Sequence, residues 1–268
     1  MRRILKDELR NGKPCTGIML QHLMLPEYID FVRYGNPDWL LFDLEHTVEN
    51  IKSVSNALWA CLAYDIPAIA RVRDKDEWMI EATLDAGFQG IVVPTVETAE
   101  EARKVVRAAK YTMNGDRSRG DRGWCPTMAP TRWLNDYSDE ERWTDKENEK
   151  RWNRDTFVGI ILETPKAFEN LDEILQVEGI DAVWPGPGDL SMRMGKYMLD
   201  PEVQKILLDA DVKATKAGKI VISAVTPENI RGHYDSGARM FLMLMQEIDF
   251  LTKIFKDGFE EIRGKIPG

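Results

Sequence analysis

Long apolar runs are missing from this chain of 268 residues. The longest, Ala57 to Tyr64, covers eight residues, far fewer than the ~20 a membrane helix needs. No block of Lys and Arg occurs either, and the formal net charge is −9. Neither nucleic acid nor a membrane is therefore expected as a partner. The opening run, Met1-Arg2-Arg3-Ile4-Leu5-Lys6-Asp7-Glu8, is too charged for a secretory signal. Cysteine is scarce: Cys15, Cys61 and Cys125 are odd in number and lack metal-binding spacing. They read as reduced thiols filling a core, which fits a cytoplasmic location. Histidine is equally scarce, at His22, His46 and His233.

What is present is ordinary for a globular protein: 43% hydrophobic and 30% charged residues. That is enough apolar material for a sizeable core and excludes intrinsic disorder. Short apolar runs recur at Thr16–Leu20, Trp39–Asp43, Ala68–Arg71, Gly90–Val93, Phe157–Leu162, Ala182–Trp184, Ile220–Ala224 and Met240–Leu244. Most lack polar alternation, as parallel strands buried on both faces do. Helical patterns separate them, at Glu27–Arg33, Ile51–Leu62, Glu77–Asp85, Ala99–Ala109, Pro165–Gln176, Pro201–Ala217, Pro227–Ser236 and Glu247–Phe259. Thr164, Asp200 and Thr226 each precede a proline, a cap followed by Pro at the first helical position. Gly87, Gly179, Gly218 and Gly237 are placed to stop helices. Eight strand–helix units predict an α/β fold, a (β/α)8 TIM barrel filling residues 1–268 as one domain. A doubly wound open sheet is the alternative.

Tyr111 to Asp155 breaks the rhythm with no strand. It carries a Gly-rich basic run, Asn114 to Gly123, and then Trp124, Trp133, Trp143 and Trp152. We read about 112–155 as a Trp-rich insertion after the fourth strand–helix unit. Its expected place is the pocket mouth or a subunit interface, with a plain helical cover as the simpler alternative.

A barrel's active site lies at the carboxyl ends of its strands. There the sequence places Asp43-Leu44-Glu45-His46, then Arg71, then Glu163-Thr164-Pro165, then Trp184-Pro185-Gly186-Pro187-Gly188-Asp189. Glu163 and Asp189 follow neighbouring strands. As a pair of carboxylates without nearby Cys they suit a hard divalent cation that keeps waters or takes substrate oxygens. Each could otherwise be a cap acid. Amides of Gly188 and Asp189 are placed to bind a substrate carboxylate. Arg71 could hold an enolate oxygen, or simply pair with the acids beside it. His46 is three residues beyond Asp43, a candidate to orient its ring for proton transfer. No predicted strand carries a Lys for a Schiff base.

These stretches resemble the HpcH/HpaI aldolases, metal-dependent class II pyruvate aldolases. The likeness is carried by Asp38–His46, Ala70-Arg71-Val72, Leu84-Asp85-Ala86-Gly87, Gly90–Pro94, Glu163-Thr164-Pro165, Val177–Ala182 and above all Gly186-Pro187-Gly188-Asp189-Leu190-Ser191. The resemblance implies a barrel that exchanges its C-terminal helix within a homo-oligomer, a hexamer or trimer of dimers. It implies a divalent cation, Mg²⁺ or Mn²⁺ with Co²⁺ as a further option, on Glu163 and Asp189. It implies a 2-oxo acid bound at Gly188, Asp189 and Arg71, an aldehyde as second partner, and catalytic roles for His46, Arg71, Asp43 and Asp85. Three departures stand out. Ile161 replaces a Gln two residues before Glu163, Met245-Gln246-Glu247 replaces Gly-x-Asp, and the Gly-x-Arg-Gly loop is expanded to Gly115–Gly123. The function expected is carbon–carbon lysis or formation through a pyruvate enolate. A decarboxylating or cyclising lyase acting on an oxaloacetate-like acid is the alternative, and an inactive binding or assembly barrel a second one.

Overall fold

Eight parallel strands close into a barrel in strict chain order: β1 (Cys15–Leu20), β2 (Trp39–Asp43), β3 (Ala68–Arg71), β4 (Gly90–Val93), β5 (Phe157–Leu162), β6 (Ala182–Pro185), β7 (Ile220–Val225) and β8 (Met240–Met243). The computed structural model describes residues 3–125, 147–244 and 247–266. Closure is by β1 against β8, with Cys15 opposite Met240. The open-sheet alternative is excluded.

Side chains alternate across each strand. Trp39, Leu41, Ile69, Val92, Phe157, Ile161, Trp184, Ile222 and Leu242 belong to one buried cluster, which fills the barrel. Leu40, Phe42, Ile91, Val158, Ile160 and Val221 belong to two others, in which strands meet the helices. Strands with two buried faces have no polar side to show, which is why they read as unbroken apolar runs.

The helices are α1 (Leu5–Arg10), α2 (Pro26–Val32), α3 (Ile51–Ala63), α4 (Glu77–Ala86), α5 (Ala99–Ala109), α6 (Glu147–Asp155), α7 (Pro165–Glu169), α8 (Leu171–Leu175), α9 (Pro187–Arg193), α10 (Pro201–Lys216), α11 (Ile230–Asp235) and α12 (Glu247–Gly264). Thr164 and Asp200 cap as expected, accepting from the Ala167 and Glu202 amides. Thr226 does not. The helix there starts only at Ile230, because the Asn229 side chain accepts the Thr226 amide and closes a turn first. The helix expected over Pro165–Gln176 breaks at Asn170, whose side chain is drawn to the Glu97 carbonyl. Gly87, Gly179, Gly218 and Gly237 all adopt positive φ, the left-handed stop geometry.

The described ends of the insertion correct one expectation. They follow α5, which completes the fourth strand–helix unit as expected, and so lie at the amino-terminal end of the barrel and not at the pocket mouth. Lys110 Nζ donates to the Asn153 carbonyl at 2.7 Å, Tyr111 packs on Trp152 at 5.4 Å, and Arg10 of α1 reaches the Arg154 carbonyl. This chain's pocket mouth is at the other end. Trp124 is half exposed and Trp152 is buried. Trp133 and Trp143 lie outside the described residues.

The C-terminal helix α12 exposes Ile254, Phe255, Phe259 and Ile262. Between α2 and α11 there is a groove of about 790 Å³ lined by Phe31, Val32, Ile230 and Phe241 and, from the first turns of α12, by Phe250, Leu251 and Ile254.

Candidate active site

The last inward-pointing position of a strand is where an apolar barrel filling gives way to solvent. On β2 the inward series Trp39, Leu41 ends in Asp43; on β3, Ile69 is followed by Arg71. The two are direct register partners. They form a two-pronged pair, Arg71 Nε to Asp43 Oδ1 at 2.8 Å and Nη2 to Oδ2 at 2.5 Å, with both side chains almost wholly buried. Burial alone would raise the Asp43 carboxyl. The bonds and charge of Arg71, with those from Gln21 and the His46 amide, outweigh it and hold Asp43 below the usual range. Among the described residues no acceptor takes Arg71 Nη1, so one arm of the fork stays free.

Asp43 is thus fully engaged. Its oxygens accept from Arg71, from Gln21 Nε2 and from the Glu45 and His46 amides. This corrects the expected dyad: Asp43 holds the backbone of His46, not its ring. The His46 ring is largely exposed, and its Nε2 lies 3.8 Å from Glu45 Oε2.

Glu45 was passed over in the sequence. Its Oε2 is buried without a hydrogen bond, facing Arg71 Nε at 3.2 Å. Burial, opposed by Arg71 and reinforced by Glu163, Asp43 and Asp189, pushes its carboxyl up to about 7. The same interactions put the four carboxyl groups in one electrostatic neighbourhood. Its signal was available, since Glu45 sits inside the run from Asp43 to His46.

Glu163 is buried at the end of β5. Its Oε1 accepts both the amide (2.7 Å) and the hydroxyl (2.8 Å) of Thr95, which follows β4. Thr95 has φ 54°, a left-handed conformation that is costly for a β-branched residue, by about 1–3 kcal/mol. No sequence signal marks it beyond its place after Pro94. Gly186 lies against the other side of Glu163. A Cβ there would come within 3.0 Å of Ile161 Cγ2 and 3.1 Å of Glu163 Cβ. Asp189 is exposed in the first turn of α9, beside Gly188, whose α-carbon faces open space. Pro187 at the helix start has no N–H, and the amides that follow it lack intrahelical acceptors. Ile161 points into the apolar filling with Trp184, so the layer below Glu163 is dry.

No cluster of three or more His, Cys, Asp or Glu side chains able to hold a metal occurs among the described residues. The fit to a divalent cation therefore rests on two carboxylates. Glu163 keeps an oxygen free of Thr95, Asp189 is open, and buried Glu45 Oε2 has no hydrogen bond. Such an oxygen-only pair suits a hard cation that completes its shell with water and substrate.

Asp85 is not brought to this rim. It lies near the end of α4, at the amino-terminal end of the barrel, and pairs with Arg122 at 2.6 Å.

A paired arginine, converging carboxylates and a proline–glycine turn gathered at the carboxyl ends of a parallel barrel's strands form the arrangement of a barrel enzyme's active site. Residues 22–240 match the family model described as HpcH/HpaI aldolase/citrate lyase, so the chain belongs to that family. It is 32% identical over 257 residues to the 4-hydroxy-2-oxo-heptane-1,7-dioate aldolase of Shigella sonnei (strain Ss046), covering 94% of this chain and 92% of that one. The enzyme of the same name from Klebsiella pneumoniae is 31% identical, covering 94% and 91%. Among solved structures, an HpcH/HpaI aldolase from Desulfitobacterium hafniense DCB-2 superposes with a TM-score of 0.86 at 25% identity, covering 99% and 98%. The chain is accordingly an aldolase-type carbon–carbon lyase.

Proposed function

We propose that the protein cleaves, or in reverse forms, a 4-hydroxy-2-oxo acid to give pyruvate and an aldehyde. The observation that carries this is the Asp43–Arg71 pair set beside Glu163 and Asp189 at one rim. The relatives named for 4-hydroxy-2-oxo-heptane-1,7-dioate make an acidic aldehyde the first candidate.

In this reading the Gly188 and Asp189 amides bind the 2-oxo acid's carboxylate, and Glu163 and Asp189 would hold a divalent cation, Mg²⁺ or Mn²⁺. Such a cation supplies Lewis acidity and a template for substrate oxygens. The free arm of Arg71 meets the C2 oxygen, where charge develops as the C3–C4 bond breaks. Asp43 keeps the guanidinium from turning away. His46, exposed beside Glu45, takes the proton of the C4 hydroxyl and is positioned to return one to C3. The apolar layer of Ile161 and Trp184 limits water beneath the enolate.

The test is pyruvate release from 4-hydroxy-2-oxoheptane-1,7-dioate by protein stripped of metal and then given Mg²⁺ or Mn²⁺. Release should vanish on chelation and return with the cation. Undiminished release after thorough chelation sinks the metal assignment. Consumption of oxaloacetate, with no cleavage of the hydroxy acid, would favour the decarboxylating alternative.

The helix α12 and the groove between α2 and α11 support an exchange in which a partner's α12 fills the groove, giving a homo-oligomer.

A further inference from the structure

Glu247, the first residue of α12, is fully buried, yet it belongs to no part of the chemistry described so far. Its Oε1 accepts three consecutive amides: Gln21 at 2.6 Å, Leu23 at 3.2 Å, and His22 between them. One carboxylate oxygen thereby fixes the whole turn that leaves β1. Its Oε2 is buried with no hydrogen bond among the described residues, so the three amides on Oε1 are what offset the cost of burying this carboxylate.

The turn it fixes leads to the site. The Gln21 side chain donates from Nε2 to Asp43 Oδ2 at 2.5 Å, and the Gln21 carbonyl accepts from Thr47 Oγ1 at 2.9 Å. Asp43 in turn aligns Arg71 and holds the Glu45 and His46 amides. A continuous path thus runs from Glu247 through residues 21–23 to Asp43 and Arg71. It begins where the C-terminal helix joins the barrel.

We propose that Glu247 is a positioning residue for the reaction. It fixes the β1 turn so that Gln21 locks Asp43, and with it the Arg71 fork, in the orientation that meets developing charge. This rests on the reading of Asp43 and Arg71 as site residues. Because Glu247 opens α12, the placement of that helix in an assembly is also passed to the rim.

The experiment measures steady-state cleavage of 4-hydroxy-2-oxoheptane-1,7-dioate, at saturating Mn²⁺, for wild type, Glu247→Gln, Glu247→Ala, Gln21→Ala and the Glu247→Ala/Gln21→Ala double variant. Small misplacements at a reacting centre cost up to ~100-fold. Glu247→Ala should lower kcat by roughly that factor while KM moves only a few-fold. Glu247→Gln keeps an acceptor oxygen but not the charge, and should lose roughly 10-fold. The double variant should be no worse than the poorer single one, because both act on the same path. Wild-type kcat in both Glu247 variants, or multiplying losses in the double variant, overturns the proposal. If Glu247→Ala does not fold, Glu247→Gln with an unchanged melting temperature decides, and a wild-type kcat there refutes it. Arg71→Lys separates the two layers. Wild-type turnover in that variant removes the site reading itself. Its loss alongside unaffected Glu247 variants removes only the positioning role.

Discussion

Thr95→Val isolates the support beneath Glu163. The substitution keeps the volume and the β-branch, so the strain of φ 54° is unchanged on both sides of the comparison. What disappears is the hydroxyl that donates to Glu163 Oε1 at 2.8 Å; the amide bond at 2.7 Å remains. A hydrogen bond to a charged group contributes about 1.5–3 kcal/mol. Losing one of two should leave Glu163 freer to rotate. Partners of this kind, bonded to a ligand rather than to the metal, typically change metal affinity or activity by about 10–100-fold. Calorimetric titration of Mn²⁺ into metal-stripped protein should show that weakening. At saturating Mn²⁺ much of the pyruvate-forming activity should return, because metal occupancy is then restored. Melting temperature without metal should stay close to wild type. If Thr95→Val binds Mn²⁺ within two-fold of wild type, Thr95 does not support a metal ligand, and Glu163 loses its best evidence.

Glu163→Gln and Asp189→Asn should each abolish cleavage and weaken Mn²⁺ binding, with unchanged circular dichroism; wild-type affinity in either counts against the ligand pair. Arg71→Lys should cost ~100-fold or more in turnover, since a point charge cannot hold Asp43 by two prongs and reach substrate as well; turnover within a few-fold would remove Arg71 from the mechanism. Glu45 has its carboxyl pushed up to about 7 in the folded chain against 4.5 unfolded. Its contribution to stability is fully present below the unfolded value and is lost as pH rises through about 7. Metal-free protein should therefore melt lower at pH 8 than at pH 5.5, and Glu45→Gln should flatten that difference; an unaltered slope refutes it. Removing α12 after Asp249 should convert an oligomer to smaller species in sedimentation, whereas unchanged assembly would dismiss helix exchange.

The barrel was legible because its strands are buried on both faces, which writes them as apolar runs. Trp39–Asp43, Ala68–Arg71, Gly90–Val93 and Phe157–Leu162 coincide with β2 to β5 residue for residue. Helix ends failed where a side chain outbid the pattern, as Asn229 did at Thr226 and Asn170 did within Pro165–Gln176. At the site, Asp43, Arg71 and Glu163 were readable because each ends an inward series. Gln21 obeys the same parity after Cys15, Gly17 and Met19, but a neutral amide gives no chemical signal. Thr95 was unreadable and Glu247 drew notice only as part of a departure, because each acts through bonds to residues far away in sequence, at separations of 68 and 226 residues. The described ends of the insertion do follow the fourth strand–helix unit, but chain leaving α5 starts from the amino-terminal end, so the pocket-mouth position fails. Asp85 is away from the rim for the same reason, since it lies near the end of a helix, α4.

Charge at the rim explains why these supporting bonds are needed. Asp43, Glu45 and Glu163 share the charge of Arg71, and Asp189 adds its own repulsion to Glu45. Asp43 is satisfied by Arg71, and Glu163 is half satisfied by Thr95. Glu45 has no such donor, so it carries the surplus as a raised pKa. A divalent cation would relieve Glu163, Asp189 and Glu45 together, and that relief is available only in the folded barrel. The departure at Ile161 fits the same logic: with Thr95 and Gly186 fixing Glu163 from either side, the position below it can be given to apolar packing without loosening the carboxylate.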